Sequence, residues 1–190
     1  NMSMFPKAIE FALRCLTVCN NEKNTDMAVI VQSNLGVFYY KKQDYKIALD
    51  YYRKAETLGS VRALVNIGNY YWQGYVVERN HDKALQYYRK AEKLGSADAL
   101  VDIGNYYWHV GHTRADFRTA LKYYRKAAAI SKSKFYDGII LHKLMLCYME
   151  KGDNAKARQA GKELLAKNSG HYNGQITEEL IKMLEVINKE

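Results

Sequence analysis

Apolar residues recur along this chain at helical spacing, in paired stripes. Leu64, Ile67, Gly68 and Tyr71 fall on one face of a helix running from about Ala63 to Gln73. Ala84, Leu85, Tyr88 and Ala91 share a face of a second helix, from about Lys83 to Leu94. Gly59 and Gly95 follow such second helices directly, where a left-handed terminal residue is wanted. Ser60 and Ser96 come next, placed to cap the helix that follows. One helix therefore ends and another begins within a residue or two, and connections that short force neighbouring helices antiparallel.

The paired stripes repeat. Tyr-Tyr-Arg-Lys-Ala stands at 51–55, 87–91 and 123–127, and Gly-Asn-Tyr-Tyr-Trp at 68–72 and 104–108, both with a period of 36. Small residues hold matched places: Gly36 with Ala48, Gly68 with Ala84, Gly104 with Ala120. Their lack of bulk predicts a close approach of the two helices in each hairpin, with the tyrosine pairs filling the space between successive hairpins. One hairpin cannot bury its apolar face, but a stack of them buries a continuous one. A single proline, Pro6, fits the first turn of an opening helix, and its scarcity elsewhere suits long helices.

This pattern resembles the tetratricopeptide repeat superfamily and its Sel1-like branch. Leu35-Gly36, Tyr39, Ala48, Tyr52 and Ala55 look like an ordinary tetratricopeptide unit. The longer spacing from Gly68 to Ala84 and from Gly104 to Ala120, with Gly74-Tyr75-Val76-Val77 between the helices, resembles the Sel1-like loop. Val110-Gly111-His112-Thr113 departs from it. A fourth unit keeps Leu144, Tyr148 and Ala157 but has Met145 in place of the glycine and Leu164 in place of an alanine, so a splayed or shifted hairpin is expected. The resemblance implies an all-α, right-handed α-α superhelix of about four hairpins, in one domain over 1–190 and from a bacterial source. The repeats fall at 28–60, 61–96, 97–132 and 138–168. A capping helix is expected within 3–27, buried through Ala8, Phe11, Ala12 and Cys15, and another within 174–188, with Ile176, Leu180, Met183, Leu184 and Ile187 as its stripe. The segments Asn20–Asp26 and Ser131–Asp137 read as longer loops.

Chemistry enters sparingly. His109 and His112 stand three apart, as helical metal ligands do, but Gly111 lies between them near a predicted helix end, so no metal or cofactor is expected. Cys15, Cys19 and Cys147 make an odd set without ligand spacing, which suits a reducing compartment. Cys15 and Cys19 share a helix, with one expected to be buried and the other near the surface. Glycine-rich phosphate loops, nucleophile elbows and paired acidic motifs are missing, so an enzyme is not expected. The expected location is the cytoplasm, or the periplasm if a signal peptide was removed upstream of Asn1; the expected state is a monomer without membrane or small-molecule partners. The net charge is +9, concentrated in residues 61–132, where twelve cations face six acids. Arg53-Lys54, Arg89-Lys90 and Arg125-Lys126 recur on the second helices as an outer basic ridge, read as a solvated face rather than a nucleic-acid site.

In the resembled family the first helices line the concave surface. The inward positions so implied include Ser33, Asn34, Val37, Tyr40 and Lys41, then Arg62, Asn66, Asn69, Trp72 and Gln73. Asp98, Asp102, Asn105, Trp108 and His109 follow, and then His142, Lys143, Leu146 and Met149. The expected partner-binding set is Tyr40, Asn66, Asn69, Trp72, Gln73, Asn105, Trp108 and His109. Asparagine donates and accepts, and so pairs with a backbone whatever its sequence; tryptophan and tyrosine supply broad contact with a polar edge. Ser33 stands where a carboxylate clamp wants a basic residue, and Asp98 and Asp102 add acid, which argues against such a clamp. The reading is a non-enzymatic scaffold binding a partner protein or extended peptide. Its alternatives are an immunity or regulatory protein that neutralises a toxin or effector and, third, a nucleic-acid binder using the outer ridge.

Overall fold

The computed structural model describes residues 4–111, 113–130, 134–150 and 152–167. Among them the chain forms nine helices and no strand: α1 (Met4–Asn21), α2 (Thr25–Lys41), α3 (Tyr45–Thr57), α4 (Val61–Gln73), α5 (His81–Lys93), α6 (Ala97–His109), α7 (Arg114–Ile130), α8 (Lys134–Glu150) and α9 (Asn154–Lys167). By their internal contacts they group into two compact units, Asn1–Ala99 and Leu100–Glu190. The first holds α1 to α5; the second holds most of α6 and all of α7 to α9.

One turn serves most of the junctions. After α3, the Gly59 N–H donates to the Glu56 carbonyl (2.9 Å) and the Ser60 N–H to the Ala55 carbonyl (2.9 Å), with Gly59 left-handed at φ 87°. Ser60 then caps α4, its Oγ accepting from the Ala63 N–H at 3.2 Å. Gly95 and Ser96 repeat the arrangement before α6. Lys23 and Gln43 hold the same left-handed place after α1 and α2. Because the turn is so compact, only Glu22 to Asn24 separate α1 from α2, and Asn24 accepts from the Met27 N–H. The long loop expected at Asn20–Asp26 is therefore helix at both ends. Likewise Lys134–Asp137, expected as loop, lies in α8.

Inside each hairpin three contacts recur in register. First, a tyrosine ring of the second helix lies where the glycine of the first has no side chain. A Cβ on Gly36, Gly68 or Gly104 would stand 2.4–2.5 Å from Tyr52, Tyr88 or Tyr124. All three rings are buried. Second, Tyr39 stacks on Tyr51 (centroids 5.5 Å apart), Tyr71 on Tyr87 (5.6 Å) and Tyr107 on Tyr123 (5.9 Å). Lys54, Lys90 and Lys126 lie over the outer ring of each pair at 4.7–5.2 Å, within cation–π range. Third, an aromatic pair ties the end of the first helix to the start of the second: Tyr40 with Tyr45, Trp72 with His81, Trp108 with Phe117.

These contacts refine two expectations. The tyrosines work within hairpins as well as between them, Tyr70 of α4 meeting Tyr40, Tyr45 and Tyr52 of the preceding hairpin, and each glycine makes room for a ring rather than for a bare helix approach. On α1 the buried stripe is Ile9, Ala12 and Cys19, and Phe11, expected inside, is 70% exposed. Ile9, Ala12, Leu16 and Cys19 fall within one arc of the helix and Phe11 lies about 120° from its centre, so packing on Ala28, Val31 and Leu35 of α2 turns it outward. Cys19 is buried and Cys15 half-buried, both as free thiols.

In the second unit Met145, standing in the glycine's place, is fully buried among Leu141, Leu144 and Tyr148. Burial pushes the neighbouring Cys147 thiol up to about 12. The capping helix expected at 174–188 lies outside the described residues, as does His112.

Candidate partner-binding faces

In the first unit, α2 and α4 bring several of the expected residues together. Ser33 and Ser60 share a buried hydrogen bond of 2.8 Å, so Ser33 ties α2 to the α3–α4 junction and offers little to a ligand. Beside it, an Arg62 Nη1–H donates to Asn34 Oδ1 at 3.2 Å, bridging α4 and α2. Arg62 and Gln73 are exposed at the two ends of α4, with Asn66, Asn69 and Trp72 half-buried between them. The Nδ2 of Asn66 is enclosed without a hydrogen-bond partner.

Asn69 turns inward instead. Its Oδ1 accepts from the Tyr88 hydroxyl at 2.7 Å, anchoring the ring that fills the Gly68 gap. Trp72 lies against His81 with centroids 4.5 Å apart and the planes 29° apart. Both residues therefore hold the hairpin together, whatever else they contact.

Tyr40 is 39% exposed and belongs to a cluster with Tyr45, Tyr70 and Tyr75. Tyr45 and Tyr75 stack at 4.6 Å, and Tyr70 meets their edges. Tyr75 comes from the inter-helix loop, which Gly74 (φ 78°) and Val76 (φ 50°) bend back. The Asn80 N–H then closes the loop on the Tyr71 carbonyl at 2.9 Å. The Tyr70 hydroxyl is buried and unpartnered, and burial holds its phenol far above the ordinary tyrosine range.

In the second unit, Asn105 repeats the role of Asn69, accepting from the Tyr124 hydroxyl at 2.9 Å. Trp108 meets Phe117 edge-on at 5.1 Å. His109 ends α6 on an exposed edge, and partial burial together with the Lys143 ammonium of α8 lowers its pKa. Lys143 is half-buried, and its own desolvation lowers its pKa too. Asp98 and Asp102 are also half-buried. Among the described residues, no group of three or more acids, histidines or cysteines is placed to hold a metal ion, and no helix is long and apolar enough to cross a membrane.

Arg53, Arg89 and Arg125 are exposed on the second helices. Arg125 is not simply solvated. Its Nε and Nη2 donate to the Tyr148 hydroxyl at 3.1 and 2.6 Å, and its guanidinium lies over that ring.

The glycine–tyrosine hairpin recurs three times in the same geometry, and the sequence profile of the Sel1 repeat matches it at residues 31–60, 61–96 and 97–130. The chain belongs to the Sel1 repeat family. Solved structures agree on the fold. A Sel1 repeat protein from Oxalobacter formigenes superposes with a TM-score of 0.60 at 21% identity, covering 90% of this chain and 74% of the other. PilF from Pseudomonas aeruginosa gives 0.63 at 16% identity, covering 95% and 86%. The protective antigen c5321 of uropathogenic Escherichia coli gives 0.54 at 20%, covering 95% and 45%. No curated protein matches significantly.

Within this Sel1 repeat frame the sequence reading missed the partners of its candidates. Tyr45, His81 and Phe117 each precede the hairpin alanine by three residues, so aligning the second helices on Ala48, Ala84 and Ala120 would have marked them as one aromatic position. The bond from Arg62 to Asn34 left no such signal, because Asn34 recurs as Asn66 but the place of Arg62 is taken by Asp98 in the next repeat.

The buried phenols also set an alkaline limit. Burial raises the pKa of Tyr52, Tyr70 and Tyr124 in the fold, so the folded state keeps protons that the unfolded chain releases near pH 10. The stability they confer is complete below about pH 10 and is lost as pH rises toward their folded values. Thermal melts should hold steady to about pH 9.5 and fall above pH 10, with part of the tyrosinate absorbance appearing only on unfolding. Full titration of every tyrosine in a still-helical protein would contradict this.

Proposed function

We propose that this chain is a non-enzymatic scaffold that binds a partner protein or extended peptide along the faces of its first helices. The Sel1 and tetratricopeptide repeat folds generally serve as protein–protein interaction scaffolds, and their families are generally non-enzymatic. One observation carries the reading. Each second helix buries one tyrosine of its pair and its matched alanines, whereas the first helices leave half-exposed, chemically varied residues: Arg62, Asn66, Trp72 and Gln73 on α4, and Asp98, Asp102, Trp108 and His109 on α6. Hydrogen-bonding and aromatic groups on packed helices suit a polypeptide better than a small substrate.

The test uses a partner recovered with the chain from its own cells. Trp72→Ala should weaken binding by about 2 kcal/mol or more, and Arg62→Ala and Gln73→Ala by about 1 kcal/mol each. Arg53→Ala, on a second helix, should change it by less than about 0.5 kcal/mol. Because Trp72 also packs on His81, calorimetric binding is measured well below the melting temperature of each variant. Normal affinity in all three first-helix variants would overturn the proposal.

A further inference from the structure

The junction between the first two repeats departs from the repeat pattern. Tyr40, Tyr45, Tyr70 and Tyr75 converge there. The matching places at the next junction hold Trp72, His81, Tyr106 and Gly111, so only one of the four tyrosines recurs. All four lie in the first compact unit.

Within the cluster, Tyr45 and Tyr75 are the close pair. Their ring centroids are 4.6 Å apart and their planes 7° apart, which puts the two ring faces in van der Waals contact. The tyrosine stacks inside the hairpins are wider, at 5.5–5.9 Å, and each has a lysine over one of its rings. A cation there opposes removal of an electron, because the ring left behind is positive until its proton departs. Among the described residues no cation lies over Tyr45 or Tyr75.

The surroundings add access and freedom to move. Tyr40 is the exposed member of the cluster and meets Tyr45 at 5.5 Å and Tyr75 at 6.0 Å. An electron lost at this surface ring is therefore replaced from the pair through direct ring contact. The stacks inside the hairpins join two packed helices, whose separation is fixed along their length. Tyr75 instead sits on the loop after α4, bent by Gly74 and Val76. A short loop outside the helical ladder yields more readily, so the Tyr75 ring can move from contact to bonding distance.

We infer that Tyr45 and Tyr75 form a site of oxidative cross-linking, at which a haem peroxidase using hydrogen peroxide joins the two rings and staples the first repeat to the second. Each phenol loses one electron and its hydroxyl proton. The two phenoxyl radicals couple ortho carbon to ortho carbon, and each coupled carbon then passes its hydrogen to its own ring oxygen. One hydrogen peroxide takes up the two electrons and two protons and leaves as two waters. The product is a biphenol linking α3 to the loop that follows α4. The site uses none of Arg62, Trp72 and Gln73, so it stands or falls apart from the first-helix proposal.

The test treats the full chain, dilute enough that chains rarely meet, with a plant haem peroxidase and hydrogen peroxide. Biphenol fluorescence follows the reaction, and mass spectrometry of tryptic fragments maps it. The expected product is an intrachain link between the fragments holding Tyr45 and Tyr75, with the mass of two hydrogen atoms lost. Tyr45→Phe and Tyr75→Phe keep the ring and remove the phenol, so the fold survives, as circular dichroism checks, and each should abolish that product. Tyr71→Phe, in the stack that Lys83 and Lys90 cover, should leave its yield unchanged. The linked chain should also unfold at higher urea than the parent, since the link closes a loop in the unfolded state.

A principal intrachain link at Tyr39–Tyr51 or Tyr71–Tyr87 would overturn the inference, as would links between chains only, or a yield that survives both phenylalanine variants. A linked chain that unfolds at lower urea than the parent would overturn it too, because coupling would then have forced the pair out of its place in the fold.

Discussion

Gly68→Ala lowers the unfolding free energy by about 1–3 kcal/mol, although alanine is the better helix former. On an open helix face the exchange would gain about 1 kcal/mol. Here the new methyl stands 2.5 Å from the Tyr88 ring, and that ring is held by Asn69 at its hydroxyl and by burial around its body. It cannot swing aside without breaking the hydrogen bond and opening the core. Gly68→Leu should cost more again. The cause is tested by a double-mutant cycle: in a Tyr88→Ala background the Gly68→Ala penalty should largely vanish, because the clashing ring is gone. Urea denaturation of the four proteins measures it. Additive effects would show that the glycine is required for some other reason, and a neutral Gly68→Ala would show that the hairpin register is wrong.

Tyr124→Ala has the larger effect, about 3–5 kcal/mol, in the range of buried aromatic truncations. The ring is fully buried, fills the space left by Gly104, and donates its hydroxyl to Asn105 at 2.9 Å. Tyr123, its neighbour in sequence, is half-buried and stacks on Tyr107 near the surface. Tyr123→Ala should cost well under half as much. Tyr124→Phe isolates the hydroxyl and should cost about 1 kcal/mol, leaving the Asn105 oxygen without its donor. Chemical denaturation of the three variants gives the comparison, and equal losses for Tyr123→Ala and Tyr124→Ala would contradict the assignment of the two rings.

That contrast shows how far the sequence could be read. The period of 36 and the glycine–serine junctions made the helices and their order legible, because capping and hairpin connection are local effects written in adjacent residues. The two tyrosines of each Tyr-Tyr-Arg-Lys-Ala motif are identical in type, and one residue apart on a helix they point about 100° apart. Helical spacing from Ala84 and Ala91 places Tyr88 rather than Tyr87 on the apolar face, but what its ring packs against is legible only once the glycine of the partner helix is placed opposite it. Phe11 was misread for a related reason: the rotation of α1 is set by α2, and on sequence alone a phenylalanine flanked by Ala8 and Ala12 reads as core.

The candidate site was less legible than the fold. Asn69 and Asn105 suit a peptide backbone chemically, but their oxygens are occupied by Tyr88 and Tyr124, residues 19 positions away in each case. The tryptophans close the ends of their hairpins against His81 and Phe117. The positions left most open to a partner are Gln73, His109 and Tyr40, which periodicity alone ranked no higher than the rest.

The most direct test of the central claim is site-specific photocrosslinking in the cells from which the chain comes, with benzoylphenylalanine placed singly at Tyr40, Gln73 and Lys54. Tyr40 and Gln73 end the first helices α2 and α4; Lys54 lies on the second helix α3. The scaffold reading predicts that the same partner protein is captured from Tyr40 and Gln73 and not from Lys54. Capture from Lys54 alone, with neither first-helix position giving an adduct, would contradict it.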